Sequence, residues 1–214
     1  MKVLAARTLC ALIGSATVAG AAVPGTVARF DTGEDGFVGS TIATIQVHSA
    51  NGGNPDGHIQ LRKDLTTGFD IGTRNSTWPE FLGDYAADGV TGAGFDLNVF
   101  NTTLSAAQLR FRRNVAENGW HYHFGPVLPD GNRWSSYDVL FNPSWNDATA
   151  LARGWTREPN APAFADLFRS VGWLEVRLIN DGSAMVGIDN VRLVPEPAAL
   201  GLLLAGATLL GRRR

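Results

Sequence analysis

Trp120-His121-Tyr122-His123-Phe124 alternates aromatic and imidazole side chains, one residue after the other. Successive side chains of a β-strand point to opposite faces, so an extended stretch would carry three aromatic rings on one face and two imidazoles on the other. A helix would distribute the same residues around its axis. The stretch therefore predicts a strand of a sheet that has one buried face and one polar face.

The same alternation recurs along the chain. It is present in the segments 42–47, 59–61, 95–99, 109–112, 137–141, 174–178 and 188–193. Asn-Gly and Asp-Gly pairs such as Asp35-Gly36 and Asn51-Gly52 separate the segments, and these pairs supply the positive φ of tight turns. Many short alternating strands with such turns predict an all-β fold, an antiparallel β-sandwich. Segments 146–153 and 163–171 predict minor short helices on the sheets.

The N-terminus is typical of a secretory signal peptide. Lys2 and Arg7 precede an apolar stretch at 8–18, and small residues follow at 19–22. This order predicts a signal helix in residues 1–22 with cleavage after Ala21 or Ala22. The one cysteine of the chain lies within this leader, so the exported part would hold no disulfide and no cysteine-ligated metal.

The C-terminal segment 194–214 has three parts: a proline-rich break, an apolar run at 198–210 and a basic end. As a helix, residues 198–211 would measure roughly 21 Å, which is short of the roughly 30 Å hydrocarbon core of a bilayer. The basic end is expected to stay on the cytoplasmic side. A permanent membrane anchor and a buried core helix are the alternatives to a transient anchor. The residues of the break and of the end are Pro195, Glu196, Pro197, Arg212, Arg213 and Arg214.

This three-part segment resembles the PEP-CTERM sorting signal of Gram-negative bacteria that export exopolysaccharide. The resemblance implies an exosortase-type membrane protease as a partner, acting at the Pro-Glu-Pro element. It also implies export through the inner membrane to the cell envelope or the extracellular space, with transient membrane association through the C-terminal apolar helix.

The segment between the two signals, residues 23–193, has the length of one domain. The two ends together hold four more basic than acidic residues, so without them the net charge falls from −2 to −6. A negative domain argues against nucleic acid as a partner, because phosphates demand a basic face.

Within this domain, 30–37 (Phe-Asp-Thr-Gly-Glu-Asp-Gly-Phe), 78–84 (Trp-Pro-Glu-Phe-Leu-Gly-Asp) and 188–193 (Ile-Asp-Asn-Val-Arg-Leu) resemble stretches of laminin B (domain IV) modules and of carbohydrate-binding jelly rolls. The resemblance implies a jelly-roll, galactose-binding-like sandwich. It also implies a structural Ca²⁺ near the first and last strands, with Asp31, Glu34, Asp35 and Asp189 at the matching positions. Carboxylates are the hard ligands that Ca²⁺ prefers, although Asp and Gly are also common in turns without any metal.

Tryptophans could provide platforms for sugar rings. Trp134 and Trp155 follow turn residues, and exposed aromatic rings stack on pyranoses. His121 and His123 could ligate a metal from one strand face, or simply lie at the rim of the sheet.

No catalytic motif of the common hydrolase or nucleotide-binding types occurs in the exported part. We therefore expect a non-catalytic surface or extracellular-matrix module that binds exopolysaccharide or another glycan. The alternatives are a glycan-acting hydrolase with an unrecognised carboxylate pair and a purely structural surface or biofilm protein.

Overall fold

The computed structural model describes residues 21–63, 70–127 and 133–197. Residues 1–20 of the predicted signal helix and the predicted C-terminal apolar helix lie outside these ranges, as do Arg212, Arg213 and Arg214. In chain order the strands are β1 (Val27–Ala28), β2 (Phe37–Gly39), β3 (Thr44–Ser49), β4 (His58–Lys63), β5 (Ile71–Asn75), β6 (Val90–Val99), β7 (Ala106–Arg112), β8 (Trp120–His123), β9 (Ser135–Leu140), β10 (Trp155–Arg157), β11 (Trp173–Ile179) and β12 (Met185–Pro195).

Two antiparallel sheets of six strands each form a sandwich. The first sheet has the order β3-β4-β12-β6-β9, and β1 also pairs with β12. The second sheet has the order β10-β8-β7-β11-β5-β2. The prediction of an antiparallel β-sandwich is thereby confirmed, and consecutive strands commonly fall in different sheets, as in a jelly roll.

The opening stretch forms β8, as predicted. Trp120 pairs with Phe111 and Tyr122 with Leu109 across the ladder, and all four side chains face the other sheet. His121 and His123 lie on the opposite face. The alternation in the sequence thus corresponds to the inner and outer faces of the second sheet.

Three short helices accompany the sheets: α1 (Tyr85–Asp88), α2 (Asp147–Ala152) and α3 (Phe164–Phe168), with a 3₁₀ turn at Pro79–Phe81. The two predicted helical segments contain α2 and α3, whereas α1 has no periodic signal because it is a single turn. Asn146 caps α2 by accepting the amide of Thr149 at 2.9 Å. Such a cap stabilises the first turn by about 1 kcal/mol.

The alternation breaks once in β12, and the break is a β-bulge. The register with β6 shifts between Asp189 and Arg192, and Asn190 has a φ of 46°. Ile188 and Val191 are both fully buried although three positions separate them. The extra residue therefore restores the apolar side chains to the inner face.

The sandwich extends slightly beyond the predicted domain limits of 23–193. Ala22 is 3% exposed and so belongs to the core, and β12 continues to Pro195, which pairs with Val90. The amide of Glu196 donates to the carbonyl of Gly89 at 3.0 Å. Among the described residues, no helix is long and apolar enough to cross a membrane.

The position of Trp155 shows that one prediction from the sequence was wrong. Trp155 was expected on a loop as a sugar platform, but it lies in β10, pairs with Tyr122 and is only 2% exposed. Its ring meets those of Phe141 and Phe164 edge-on, with ring centroids 5.3 and 5.2 Å apart. The strand that follows the Gly154 turn directs the indole inward, so Trp155 is a core residue.

Replacing Trp155 by Ala should therefore lower the free energy of unfolding by about 3–5 kcal/mol, because a buried ring is lost and a cavity remains. Denaturant unfolding measures this change. The control is Leu140→Ala, since Leu140 is 67% exposed and should change the same quantity by about 0.5 kcal/mol or less. Similar losses for both variants would contradict a core position for Trp155.

Candidate functional site

The outer face of the second sheet is polar, whereas its inner face is apolar. Strands β5, β11, β7 and β8 place their alternate side chains there, and the paired register brings Arg74, Glu175, Arg110 and His121 into one row. We call this surface the polar face. It consists of Arg74, Gln108, Arg110, Arg112, His121, His123, Trp173, Glu175 and Arg177.

Two carboxylates share one guanidinium at the centre of the polar face. Arg110 Nε lies 2.5 Å from Glu158 Oε1, and Arg110 Nη1 lies 3.3 Å from Glu175 Oε2. Burial raises the pKa of Glu158, but hydrogen bonds from His121 and the Gly119 amide, together with the charge of Arg110, outweigh it and leave that pKa below its ordinary value. Both carboxylates are largely buried, so the ion pairs hold the side chains in fixed positions.

Trp173 lies at the end of this row, beside Glu175. The guanidinium carbon of Arg74 lies 4.2 Å from its ring centroid and that of Arg112 lies 5.7 Å from it, which is a cation–π arrangement. The indole Nε1 donates to Glu175 Oε2 at 3.4 Å. Sequence reasoning missed Trp173, although it shares its strand parity with Glu175 and Arg177 and so had to face outward.

A cleft of about 380 Å³ opens beside Trp173, and Arg74, Gly172 and Arg113 also line it. Gly172 is required there, because a Cβ would lie 2.1 Å from the carbonyl oxygen of Arg113. The close backbone approach thus shapes the cleft, with Arg74 as one wall. Trp173 forms the floor, but this residue is only 5% exposed because the guanidinium groups of Arg74 and Arg112 cover its ring.

Five buried polar atoms of the polar face have no hydrogen-bond partner among the described residues. Two of them, Arg110 Nε and His121 Nδ1, still lie beside Glu158 Oε1, which leaves Arg74 Nε, Gln108 Oε1 and Arg112 Nε. Buried polar groups in folded proteins nearly always have partners, so a cluster of such atoms calls for an explanation. Hydroxyl groups, which both donate and accept, would match these atoms once the side chains that bury them move aside.

The two histidines of the polar face are in contact. His121 Nε2 lies 3.0 Å from His123 Nε2, and the amide nitrogen of Gln108 lies 3.0 Å from the same atom of His123. Burial, and then the charges of His121 and Arg177, lower the pKa of His123. In the described part of the chain, no three or more His, Cys, Asp or Glu residues form a group that could hold a metal ion, so the pair provides two nitrogen ligands at most.

A second polar cluster lies on the outer face of the first sheet, around Asp189. This carboxylate is fully buried; its two oxygens accept the amides of Asn54 at 2.5 Å and Asn190 at 2.6 Å. Burial, and then the charges of Asp96 and Asp31, raise the pKa of Asp189 to about 6 despite these hydrogen bonds. The carboxylate thus lies beside like charges.

The loop at residues 51–57 covers Asp189, and Trp134 holds that loop in place. Trp134 Nε1 donates to the carbonyl of Gly52 at 3.1 Å, and the ring packs so closely on Gly187 that a Cβ there would lie 2.7 Å from it. The predicted sugar platform Trp134 is therefore half-buried, with its polar atom engaged by the protein.

The predicted calcium ligands are only partly brought together. Asp31 lies close enough to Asp189 to raise its pKa, which suits a shared cation. Asp35 instead accepts the amide of Phe30 at 2.9 Å, and Glu34 is an exposed turn residue. Calcium at Asp189 would thus depend on Asp31 and on backbone carbonyl oxygens, which are also acceptable ligands for this ion. The calcium site stays a prediction.

The pKa of Asp189 predicts a pH-dependent stability. A carboxyl whose folded pKa exceeds its ordinary value of about 3.9 binds protons more tightly in the folded state, so its contribution to stability is lost as pH rises from about 4 through 6. With chelator present, the free energy of unfolding relative to Asp189→Asn should fall by on the order of 2 kcal/mol between these pH values. A constant difference between the two proteins would contradict the raised pKa.

If Ca²⁺ binds at Asp189, it should offset the loss of stability that the raised pKa of Asp189 causes at neutral pH. At pH 7 a concentration of about 100 times Kd would add about 2.7 kcal/mol to the free energy of unfolding, seen as a higher Tm that chelator removes. Asp189→Asn should not respond, whereas Asp181→Asn, an exposed turn variant, should respond fully. An unchanged Tm in the parent protein at millimolar calcium would eliminate the site.

The fold can be compared with known structures. It is similar to a family 11 carbohydrate-binding module of a cellulosomal cellulase of Clostridium thermocellum, with a TM-score of 0.54 and 14% identity over 81% of this chain and 96% of that one. The module from that organism in complex with a β-1,3-1,4-mixed-linked tetrasaccharide has the same TM-score and identity, over 82% and 98% of the two chains.

An exo-β-agarase is also similar, with a TM-score of 0.56 and 12% identity; the match covers 79% of this chain but only 25% of the enzyme. No family model matches the sequence, and no curated protein matches it. The likeness therefore establishes the fold, the β-sandwich of jelly-roll carbohydrate-binding modules.

Proposed function

We propose that the chain is an exported, non-catalytic module of the cell surface or extracellular matrix that binds a polysaccharide through the polar face. The observation that carries the proposal is the cleft beside Trp173, where the indole ring adjoins Arg74 Nε and Arg112 Nε, two buried atoms that have no hydrogen-bond partner among the described residues. Sugar-binding sites combine such an apolar surface with a few placed polar groups. The similar carbohydrate-binding modules support the proposal through their shared fold.

A glycan-acting hydrolase is the second candidate, because Glu158 and Glu175 form a carboxylate pair. A glycosidase needs one carboxyl that stays protonated, with a raised pKa, and an open space between the two for substrate or water. Here the pKa of Glu158 is lowered, and the guanidinium of Arg110 contacts both carboxylates. This geometry favours binding over catalysis.

The proposal for export rests on the two terminal signals. The first residues of the fold follow the predicted leader directly, and the sandwich ends within the Pro195-Glu196-Pro197 motif. We propose that an exosortase-type protease acts at this motif and that the segment behind it associates transiently with the membrane. The alternative of a permanent anchor would leave the terminal arginines on the mature protein, which mass spectrometry of envelope fractions detects.

Binding should depend on Trp173 and not on Trp134. Trp173→Ala removes the floor of the cleft and should weaken binding to polysaccharide by about tenfold or more, equivalent to about 1.4 kcal/mol. Trp134→Ala, a tryptophan of the other sheet, is the matched control and should leave the affinity unchanged. Affinity electrophoresis in gels that contain exopolysaccharide or mixed-linked glucan measures both, and thermal unfolding verifies that each variant is folded.

A reducing-sugar assay on the same samples separates the candidate functions. Binding without sugar release supports the module, and release that Glu158→Gln abolishes supports the hydrolase. If the protein neither binds nor cleaves any glycan of an array, the result would favour the purely structural surface protein. If Trp134→Ala loses binding and Trp173→Ala does not, the binding site lies on the first sheet and not on the polar face.

A further inference from the structure

The fold begins at Ala22, between the two predicted cleavage positions. The amide nitrogen of Ala22 donates to Asp88 Oδ2 at 2.8 Å, and its methyl group is buried, with 3% of the residue exposed. Ala21, one residue earlier, is exposed. The next nitrogen, that of Val23, donates to a backbone carbonyl, Glu80 O, at 2.8 Å. Of these two backbone nitrogens, that of Ala22 meets a carboxylate and that of Val23 does not.

Asp88 is well placed to receive a positive charge. It is the last residue of α1, at the end where the peptide dipoles leave negative charge, so a cation there is favourable. Among the described residues, no basic side chain forms an ion pair with it. The two arginines nearby have other partners: Arg113 binds Glu117 at 2.7 Å, and Arg169 binds Asp166 at 3.4 Å.

The surroundings of Asp88 leave room for a free terminus. A cavity of about 510 Å³ lies beside Ala21 and is lined by Asp84, Asp88, Arg113 and Arg169, among others. Removal of everything up to Ala21 would expose the nitrogen of Ala22 to this cavity without disturbing the hydrogen bond to Asp88. Water could reach the remaining protons of an ammonium there.

We infer that the leader is removed after Ala21 and that the new α-ammonium of Ala22 forms an ion pair with Asp88, which completes the fold. The inference rests on the proposed export. Ala19-Gly20-Ala21 has the small residues that signal peptidase accepts before its cut. Cleavage after Ala22 would instead delete a buried methyl group and leave Asp88 without its partner.

The processing step is a peptide hydrolysis. Water adds a hydroxyl group to the Ala21 carbonyl carbon, and the bond to the Ala22 nitrogen breaks. That nitrogen takes up two protons, one from the water and one from the new carboxyl group, to give an ammonium and a carboxylate. Before cleavage a neutral amide donates to the carboxylate of Asp88; afterwards a positively charged donor does, so a direct charge–charge attraction is added to the hydrogen bond.

The first experiment determines the mature terminus. The full-length chain is expressed in a bacterium that exports it, and the mature N-terminal peptide is sequenced by mass spectrometry. A terminus at Ala22 is expected. A terminus at Val23, or at any other residue, would overturn the inference about the cut. An unprocessed cytoplasmic chain would overturn the proposed export instead.

The second experiment tests the ion pair independently of export. Two proteins are made that differ only at the start: one begins at Ala22 with a free amine, and one retains Ala21 and the residues before it. Asp88→Asn is introduced into both, since asparagine keeps an acceptor for the nitrogen but removes the charge. Asp181→Asn serves as the control, because Asp181 is an exposed residue of a distant turn.

The loss of Tm from Asp88→Asn should be about 2–4 °C larger in the protein that begins at Ala22 than in the extended protein. Asp181→Asn should affect both proteins equally. Equal losses from Asp88→Asn in the two backgrounds would show that the ammonium does not bind Asp88, even if the cut after Ala21 is found.

Discussion

One extra residue in the last strand, β12, decides which of that strand's side chains face the core of the sandwich. Strand β12 pairs with β4 on one side and with β6 on the other, and β1 joins it near the end. A two-residue period carried through this strand would turn Val191 and Leu193 outward. The bulge at Asn190 shifts the parity, so both side chains return to the core while Asp189 and Arg192 share the outer face. The inner packing of the first sheet and the polar cluster around Asp189 thus depend on the same backbone irregularity.

The two sheets place polar groups on their outer faces in different ways. Around Asp189 the loop 51–57 closes over the carboxylate, so burial and neighbouring acids destabilise its charge. On the polar face the charges alternate in sign across the strands, and Arg110 compensates two carboxylates at once. Removing one member of such a buried network leaves its partner uncompensated. The first arrangement leaves a buried carboxylate beside like charges, whereas the second fixes its side chains through ion pairs.

The first and last residues of the sandwich lie close to the predicted processing positions. Ala22 is tied to α1 through Asp88, and Glu196 is tied to the carbonyl of Gly89, the residue that follows α1. Both ends of the sandwich are therefore fastened to one short helical turn. Because a single turn has few internal hydrogen bonds, these contacts with the ends of the sandwich add to its stability.

The sequence by itself indicated eight of the twelve described strands, the antiparallel sandwich and the division into inner and outer side chains, because a period of two is a local property of an extended backbone. It missed β1, β2, β5 and β10, where the alternation is too short or too weak to stand out. It also indicated α2 and α3, whose apolar residues follow a helical spacing. Only the tertiary structure decided that Trp155 is buried, that Trp134 holds a loop, and that Trp173 forms the floor of a cleft between two arginines. The same is true of the pairing of Glu158 with Glu175 through Arg110, since Glu158 and Glu175 lie far apart in the chain. The reason is that strand order and register decide which face of the sheet a side chain occupies and which distant side chain it contacts. Strand order and register are in turn fixed only when all the strands pack together.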